Sequence, residues 1–218
     1  MSKFWEKEFT CPFCGTKFKK KMVFFDSIKI KARDIDLKPV FEDVNPMFYE
    51  VVTCPNCYFS AFDKDFETIT IKGEETERKL KKLLEEAKKK VELKNVENHV
   101  EAIKRYALSG MVYSVLNQRK KVAISYLKIA WLFRELGKSE EEKRYLERAL
   151  KEFESHYKYD YYEESDEPMI LFYLGVLNQI LGNRKEAARW YELLLRKYDG
   201  KSLYAKVGRE RWQELRRS

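Results

Sequence analysis

Four cysteines arranged as two short, similar motifs constrain this chain more than any other feature. Cys11 and Cys14 form a C-P-F-C motif, and Cys54 and Cys57 form a C-P-N-C motif. Proline fixes one backbone dihedral and favours the tight turn that brings two sulfur atoms to one point. Four thiolates in two such turns match the tetrahedral coordination of a structural zinc ion. We therefore predict one structural Zn²⁺ held by all four cysteines.

Two other uses of these cysteines remain open at this stage. A thioredoxin-like redox pair normally occurs once, in a βαβ unit, and the sequence shows no such unit. Two structural disulfides would require an oxidising compartment. The first residues, MSKFWEKEF, lack the apolar stretch of an export signal, and no uncharged run is long enough to span a membrane. We therefore expect a cytoplasmic protein that does not bind membranes.

The segment between the two motifs, residues 15–53, must contain structure of its own, because it is longer than the linker of a compact zinc module. Apolar and alternating runs predict strands over residues 22–25, 27–31 and 49–53. Asn45 followed by proline predicts a turn before the last of these strands. The sequence therefore predicts a small β-rich zinc ribbon, with an inserted hairpin or loop, over residues 1–73.

Phenylalanine and lysine are interleaved in this region, and two interpretations of them differ. Phe18 followed by Lys19, Lys20 and Lys21 could stack on bases and contact phosphates. A domain too small for an ordinary core more often uses phenylalanine to fill its interior. The three lysines could also offset the negative charge of four thiolates on zinc. We favour the core interpretation for the phenylalanines.

The remainder of the chain is predicted to be helical, because only one of its five prolines lies beyond residue 73. A charged linker helix is predicted over residues 74–95, and a helical repeat domain over residues 96–218. The predicted helices of that domain lie at 96–116, 120–136, 139–157, 167–181 and 202–216, and a further helix with a box-like start that includes Glu186 lies between the last two. The predicted fold class is therefore α+β, mostly α: a β-rich four-cysteine zinc ribbon followed by antiparallel helical hairpins.

Two helix starts are predicted from capping residues. Ser139 with Glu142 three residues later forms a capping-box pattern. Asp166 precedes Glu167 and Pro168, and proline is tolerated in the first turn of a helix.

One predicted hairpin, LFYLGVLNQILGNRKEAARWYELLL, fits the tetratricopeptide (TPR) pattern. Gly175 allows close helix packing, Gly182 makes the turn, Ala187 leaves room for the first helix, and Tyr191 closes the core. A second hairpin around Gly137 fits less well, and the two turn glycines are 45 residues apart, against about 34 for a regular TPR. The register of the hairpins stays open, so we describe the array as TPR-like.

Stacked hairpins leave a concave face that is formed mainly by first helices. On that face we predict four contacts with a protein or peptide partner: Tyr126, Arg134, Tyr173 and Asn178. Two alternatives stay open. These side chains could belong to the hairpin core, or the acidic, tyrosine-rich segment Tyr157–Asp166 could fill the groove.

The combination of motifs resembles a known family. The segment CPFCGTKF, then RDIDLKPVFEDVNPMFYEVVTCPNCYFSAF, then TPR-like helices is similar to the bacterial domain-of-unknown-function family 2225. The resemblance covers nearly the whole chain and is specific over residues 11–61. Members of the family usually have glycine after the second motif, where this chain has Tyr58. The resemblance implies a zinc ribbon with helical repeats and implies no activity.

Composition and motifs favour a binding protein over an enzyme. The chain lacks G-x-S-x-G, P-loop, G-x-G-x-x-G and H-E-x-x-H motifs. A zinc ion held by four cysteines also has no open position for water. We therefore predict a non-enzymatic, zinc-binding adaptor or scaffold. The alternative is weak nucleic-acid binding through the ribbon and the basic C-terminal helix, which the net charge of +8 permits but does not demand.

Overall fold

The structure, a computed structural model, describes residues 2–198, 200 and 202–217. Within them, three antiparallel strand pairs precede seven α-helices, so the chain is α+β and mostly α, as predicted. The strands are β1 (Phe4–Thr10), β2 (Lys17–Val23), β3 (Ile30–Arg33), β4 (Pro39–Phe41), β5 (Val51–Thr53) and β6 (Ser60–Phe62). The helices are α1 (Glu74–Lys90), α2 (His99–Val115), α3 (Arg119–Glu135), α4 (Ser139–Tyr159), α5 (Glu167–Ile180), α6 (Arg184–Tyr198) and α7 (Leu203–Arg217).

Two of the three hairpins carry the cysteine motifs at their tips. Residues 11–16 connect β1 to β2, and residues 54–59 connect β5 to β6. Phe9 lies opposite Phe18 in the β1–β2 register, and both rings contact Phe66 edge to face. The core interpretation is confirmed for Phe9 and Phe66, which are fully buried, and Phe18 is half-buried against them. Phe24 and Phe25, which are 45% and 87% exposed, lie outside the core.

The strand predictions were accurate only near the second motif. The predicted strand at 49–53 is β5, but the one at 22–25 is the end of β2, which begins at Lys17. Phe25–Ser27 forms a single 3₁₀ turn instead of a strand. β1 was not predicted, because its period-two pattern of aromatic residues is interrupted by charged residues on both faces.

The inserted hairpin β3–β4 docks on α3 through one buried carboxylate. Asp36, at the hairpin tip, is fully buried. It accepts hydrogen bonds from Trp131 Nε1 at 2.8 Å and from Arg134 Nη2 at 2.8 Å. A buried charge requires such partners, since an unpaired one is strongly destabilising. This contact ties the insertion between the cysteine motifs to the helical part of the chain.

A second polar junction lies beside β5. Glu50 accepts a hydrogen bond from the Tyr106 hydroxyl at 2.6 Å and forms an ion pair with Lys128 at 2.8 Å. The predicted turn at Asn45 is confirmed as a 3₁₀ turn, Pro46–Phe48, in which the Asn45 side chain accepts a hydrogen bond from the Met47 N–H. β5 therefore enters the second cysteine motif from a segment that is fixed against α2 and α3.

Three of the helix–helix connections share one geometry. The connections after α2, α3 and α5 are each three residues long, and their middle residues, Asn117, Gly137 and Gly182, have φ values of 56°, 68° and 84°. In each, the N–H of the next residue donates to a carbonyl five residues earlier, at 2.8–3.0 Å. This is the Schellman motif, which ends a helix with a left-handed residue. Connections this short make the helices that they join antiparallel.

The hairpin α5–α6 has the predicted packing. A Cβ atom on Gly175 would lie 2.6 Å from the ring of Tyr191, so only glycine permits this approach. Ala187 and Tyr191 are fully buried. These positions confirm the hairpin, whereas its membership in the TPR class stays a prediction.

Helix starts differ from the predictions at two positions. α4 begins at Ser139 with Lys138 as N-cap, and Ser139 does not form a capping box. Glu142 instead accepts a hydrogen bond from Arg134 at 2.7 Å. Asp166 precedes α5 as predicted but makes no capping hydrogen bond, because its carboxylate is paired with Lys120. In both cases a cation of α3 competes successfully for the carboxylate.

Two hydrophobic cores run through the part of the chain that the structure describes. One contains buried residues of α2 to α7 and receives Met47 and Val51 from the N-terminal part. The other combines the inner faces of the two cysteine-bearing hairpins with apolar residues of α1, α2 and α3, namely Leu80, Leu84, Val112, Tyr113 and Val122. α1, predicted as a linker helix, therefore contributes an apolar face to the second core. The predicted boundaries at 73 and 95 remain a prediction about independent folding.

In the part of the chain that the structure describes, no helix combines the length and the apolar character needed to cross a bilayer.

Candidate metal centre and neighbouring surfaces

The first cysteine motif is a tight turn held by two backbone hydrogen bonds. The Gly15 N–H donates to the Cys11 carbonyl at 2.9 Å, and the Cys11 N–H donates to the Thr16 carbonyl at 2.9 Å. Gly15 has φ of 73°, in the left-handed region that favours glycine. The turn thereby holds Cys11 and Cys14 at one side of the hairpin tip.

The second motif repeats this geometry with a different residue at the strained position. The Tyr58 N–H donates to the Cys54 carbonyl, and the Cys54 N–H donates to the Phe59 carbonyl, each at 2.9 Å. Tyr58 has φ of 66° and so occupies the place of Gly15. The sequence analysis noted this residue as a departure from the family pattern. The turn accommodates it without change, at a cost of about 1 kcal/mol for a side chain in this conformation.

The four sulfur atoms converge between the two turns. They all lie within 4.8 Å of one another. The Sγ atoms of Cys11 and Cys57 are 3.6 Å apart, and those of Cys14 and Cys54 are 3.7 Å apart. A tetrahedral zinc site with Zn–S bonds of about 2.3 Å requires sulfur–sulfur distances of about 3.8 Å. The four thiols are free, so the structure brings together the predicted ligands in an arrangement that could hold a metal ion.

Interactions among the thiols shift their pKa values in opposite directions, and a bound cation is needed to ionise all four. Hydrogen bonds from Cys11 and Cys57 hold the pKa of Cys54 far below its usual range, at about 2. The contact with Cys54 raises the pKa of Cys11 to about 12, and contacts with Cys11 and Cys54 raise the pKa of Cys57. Four thiolates at these distances repel each other, so complete ionisation requires a bound cation.

Polar groups around the sulfur atoms come from the turns and from α1. Thr16 Oγ1 lies 3.2 Å from Cys14 Sγ, and the Asn56 side-chain amide donates to the same sulfur at 3.7 Å. Lys88 of α1 donates to the Asn56 carbonyl at 2.5 Å. Such groups orient thiolate ligands and tune a metal site. The cation beside the second motif is therefore Lys88.

Two lysines of the β2 run contact groups other than the cysteines, and the charge-offsetting role of the run stays a prediction. Lys20 donates to the Tyr49 carbonyl, and the Lys21 ammonium lies over the Phe4 ring at 3.9 Å. No hydrogen bond joins either lysine to a cysteine among the described residues.

Two of the predicted partner contacts are buried. Tyr173 is 8% exposed and stacks on Phe153, and Asn178 is 2% exposed and donates to the Leu174 carbonyl. The side chains of both residues are therefore inaccessible to a partner in this structure. The signal for this was present in the sequence, because the run from Met169 to Leu177 is apolar all round, as in helices buried on every side.

The other two predicted contacts lie on α3. Arg134 forms ion pairs with Asp34, Asp36 and Glu142 at 2.7–3.0 Å, so its guanidinium is engaged within the chain. Tyr126 is half-buried beside Tyr145. A binding role for Tyr126 stays a prediction.

The acidic, tyrosine-rich segment lies on the basic start of α3. Asp160 forms an ion pair with Arg119 at 2.5 Å, and Asp166 forms one with Lys120 at 2.5 Å. Tyr162 stacks on Tyr157. The segment therefore covers the basic start of α3 with its own carboxylates, and its filling of a concave groove stays a prediction.

Two grooves are lined in part by β2, and neither was predicted from the sequence. The first, here called the apolar groove, encloses about 550 Å³ between β2, the β3–β4 insertion and α3. Phe25, which is 87% exposed, and Ile30, which is 45% exposed, stand at its mouth. Its other apolar lining residues are Met22, Val23, Ile28, Phe41, Pro46, Tyr49, Phe62 and Ile124.

The second, here called the lysine groove, encloses about 860 Å³ between β2 and the segment that joins α1 to α2. It is lined by Glu6, Phe18, Lys19, Lys20, Lys21, Tyr49, Thr53, Pro55, Tyr58, Leu93, Lys94, Asn95, Val96, Glu97 and Arg105. The basic C-terminal helix α7 contributes no residue to this lining and packs on α5 and α6. α7 reaches the N-terminal part elsewhere, where Arg211 donates to the Ile35 carbonyl at 3.3 Å, and the combination of ribbon and basic tail stays a prediction.

Comparison with known proteins places the whole arrangement in one family. The family model described as "Uncharacterized protein conserved in bacteria (DUF2225)" matches residues 4–215. A protein from Borreliella burgdorferi named "Uncharacterized protein" is 28% identical over 165 residues, which is 66% of this chain and 58% of that protein. The chain therefore spans less than two thirds of the length of this relative. No solved structure matches.

Proposed function

The chain belongs to the DUF2225 family of bacterial proteins, and from this premise we propose that it is a non-enzymatic adaptor in which a structural zinc ion fixes the N-terminal hairpins and an adjoining groove holds a protein segment. The family resemblance supplies no activity, so the proposal depends on the geometry alone. The sulfur spacing supports zinc, because four cysteine ligands at such distances suit this ion and leave no open position for catalysis. Free thiols in this number also suit a reducing compartment such as the cytoplasm.

The observation that carries the adaptor role is the apolar groove. Phe25 and Ile30 are exposed beside a cavity of about 550 Å³ whose lining is mainly apolar. Phe24 and Trp5, which contact each other nearby, are 45% and 40% exposed. Exposed apolar side chains that are grouped around a concavity mark a site of protein interaction more often than a surface without function. The partner segment we propose is apolar and comes from a second protein.

Site-specific crosslinking tests this role. A photoreactive phenylalanine analogue at position 25 is expected to form a discrete crosslinked species in the native host, identified by mass spectrometry. The matched control carries the analogue at Tyr161, which is 93% exposed but lies outside the groove. Phe25→Ser should then weaken the binding of the identified, purified partner at least about 30-fold, because truncation of an anchoring aromatic residue costs about 2 kcal/mol or more. Equal crosslinking at both positions, or crosslinking only to a second copy of the chain, would contradict the proposal.

A further inference from the structure

The lysine groove differs from the apolar groove in its charge. Five cations line it, and they face two carboxylates, Glu6 and Glu97. Glu97 is already paired with Arg105 at 2.8 Å. Lys19, Lys21 and Lys94 have no carboxylate within ion-pair distance among the residues that the structure describes. Five cations against two carboxylates give the groove a net positive charge, although Glu6 and Glu8 lie opposite Lys21 and Lys19 in the β1–β2 register.

Its far wall is held in place by an arginine of α2. Arg105 donates to the Lys94 carbonyl at 2.9 Å and to Glu97 at 2.8 Å. Glu101 accepts a hydrogen bond from the Lys94 N–H at 2.8 Å. The segment that carries Lys94 is thus fixed opposite β2, and the groove is preformed rather than a gap beside a loose loop.

The near wall contains a lysine whose ammonium is held inward. Lys20 donates to the Tyr49 carbonyl and has no carboxylate in direct contact among the described residues. Burial lowers the pKa of Lys20 to about 8, and the negative charge of Glu97 opposes this effect only in part. A bound anion would relieve the unfavourable burial of this positive charge.

The floor carries the strained aromatic residue. Tyr58 has φ of 66°, whereas the equivalent position of the first motif is Gly15. The turn itself therefore does not require tyrosine, and glycine would be less strained. Residues held in strained conformations occur preferentially at functional sites. The side chain of Tyr58 lines the groove, and Lys88 lies 6.0 Å from its ring centre.

We propose that the lysine groove binds single-stranded nucleic acid, with phosphates on Lys19, Lys21 and Lys94 and a base stacked on Tyr58. An aromatic platform between cations is the common arrangement for single strands, because every base has a face that can stack. An acidic peptide would use the same lysines but would gain nothing specific from the tyrosine. This site is separate from the adaptor role and does not depend on it.

Tyr58→Gly tests the stacking without a loss of folding. The variant restores the backbone preference found at Gly15, so its thermal stability should equal or exceed that of the parent chain. Binding of a fluorescein-labelled oligothymidylate of about twelve nucleotides is measured by anisotropy at low salt, with the full chain as purified. Loss of a stacked base should weaken binding about 5- to 150-fold. Tyr161→Ser is the matched control and should leave the affinity unchanged.

Charge and base contributions are separated by two further probes. Lys19→Gln with Lys21→Gln should lower the salt dependence, by about 0.7 in the slope of log K against log salt for each lysine that contacts a phosphate. Lys143→Gln with Lys151→Gln, on exposed positions of α4, is the charge-matched control. An abasic strand of the same length should bind more weakly than oligothymidylate and be insensitive to Tyr58→Gly.

Three results would overturn the proposal. The first is equal binding of oligothymidylate by the parent chain and by Tyr58→Gly. The second is equal binding of oligothymidylate and polyglutamate of matched charge, which would indicate an acidic-peptide site. The third is an equal change in the salt dependence of binding for the control pair, Lys143→Gln with Lys151→Gln, and for the β2 pair, Lys19→Gln with Lys21→Gln.

Discussion

At the scale of single residues, the two cysteine motifs form a natural comparison. They share backbone geometry and hydrogen bonds but differ at one left-handed position, where one has Gly15 and the other Tyr58. A Cβ atom on Gly15 would meet no atom within 4 Å, so only the backbone conformation opposes a side chain there. The conformational cost can therefore be measured separately from packing.

We predict opposite effects of substitutions at these two positions. Gly15→Ala should lower the free energy of unfolding by about 1 kcal/mol, because alanine is strained at this φ. Tyr58→Gly should raise it by up to about 1 kcal/mol, after the small loss of the Lys88 contact. Denaturant titration of the metal-loaded chain checks both values. Destabilisation by Tyr58→Gly would show that the tyrosine side chain contributes more to packing than its position indicates.

Lys20 gives a prediction with a defined pH window. Burial lowers its pKa from 10.5 to about 8 in the folded chain. Between these values the unfolded chain binds more protons, so stability rises with pH. The cost of the buried charge is present in full below pH 8 and disappears above pH 10.5. Lys20→Met should therefore stabilise the chain by about 1–2 kcal/mol at pH 7, allowing for the lost hydrogen bond to Tyr49.

The measurement compares urea unfolding of Lys20→Met and of the parent chain at pH 7 and pH 10. The stabilisation should shrink at the higher pH, since Lys20 of the folded parent, with its pKa of about 8, is by then largely deprotonated. Lys19→Met, at an exposed neighbouring position, is the control and should show no such pH dependence. A stabilisation that is constant with pH would mean that the ammonium of Lys20 is solvated.

At the scale of elements, the sequence predicted the cysteine ligands and most helices but not what covers each helix. A helical period identifies one apolar face, and it does not say which neighbour packs on the opposite face. Tyr173 and Asn178 were placed on an open surface for this reason, although α5 is covered on several sides. The ion pairs of Arg134 with Asp34 and Asp36 join residues about 100 positions apart, which no local pattern indicates.

The glycine turns that end helices and the close contacts between helices were more predictable, because each depends on a single glycine. Gly182 has the left-handed φ that ends α5, and Gly175 permits contact with Tyr191. The Ser139 capping box failed although its pattern was correct, since Arg134 holds Glu142 instead. Tertiary ion pairs can thus override a local capping pattern.

Two glycines within helices allow a matched test of the close approach between α5 and α6. Gly175→Ala would place Cβ 2.6 Å from the Tyr191 ring, and such overpacking should cost about 1–3 kcal/mol. Gly110→Ala, within α2, would place Cβ 3.5 Å from Ser125 Cβ, which is ordinary contact. This variant should be neutral or more stable by up to about 1 kcal/mol, because alanine favours helix. Thermal unfolding of both variants gives the comparison, and equal melting temperatures would contradict the close approach of α5 and α6.

At the scale of the whole molecule, the metal centre and the helices share a core. Leu80 and Leu84 of α1 pack in the same cluster as Phe9 and Phe66 of the N-terminal part. A structural zinc ion contributes on the order of 10 kcal/mol to a small module, comparable to the entire stability of many domains. Loss of the metal should therefore affect more than the two hairpins that hold the cysteines.

Cys54→Ser is predicted to unfold the part of the chain that surrounds the core of the cysteine hairpins, and to leave the part around the other core folded. Amide exchange should lose protection in β1, β2, β5, β6 and α1, because their shared core depends on the metal centre. The helices α5 and α6 should stay protected, since Tyr191, Ala187 and Leu194 belong to the other core. The far-ultraviolet circular dichroism of the variant should accordingly keep most of its helical signal.

A chelator should produce the same pattern of lost amide protection in the parent chain, and added Zn²⁺ should restore the protection there but not in Cys54→Ser. Elemental analysis should find one zinc ion for each parent chain. Protection that is lost evenly over all seven helices would show that the two cores unfold as one unit, and unchanged protection in β1 would show that no metal supports the hairpins.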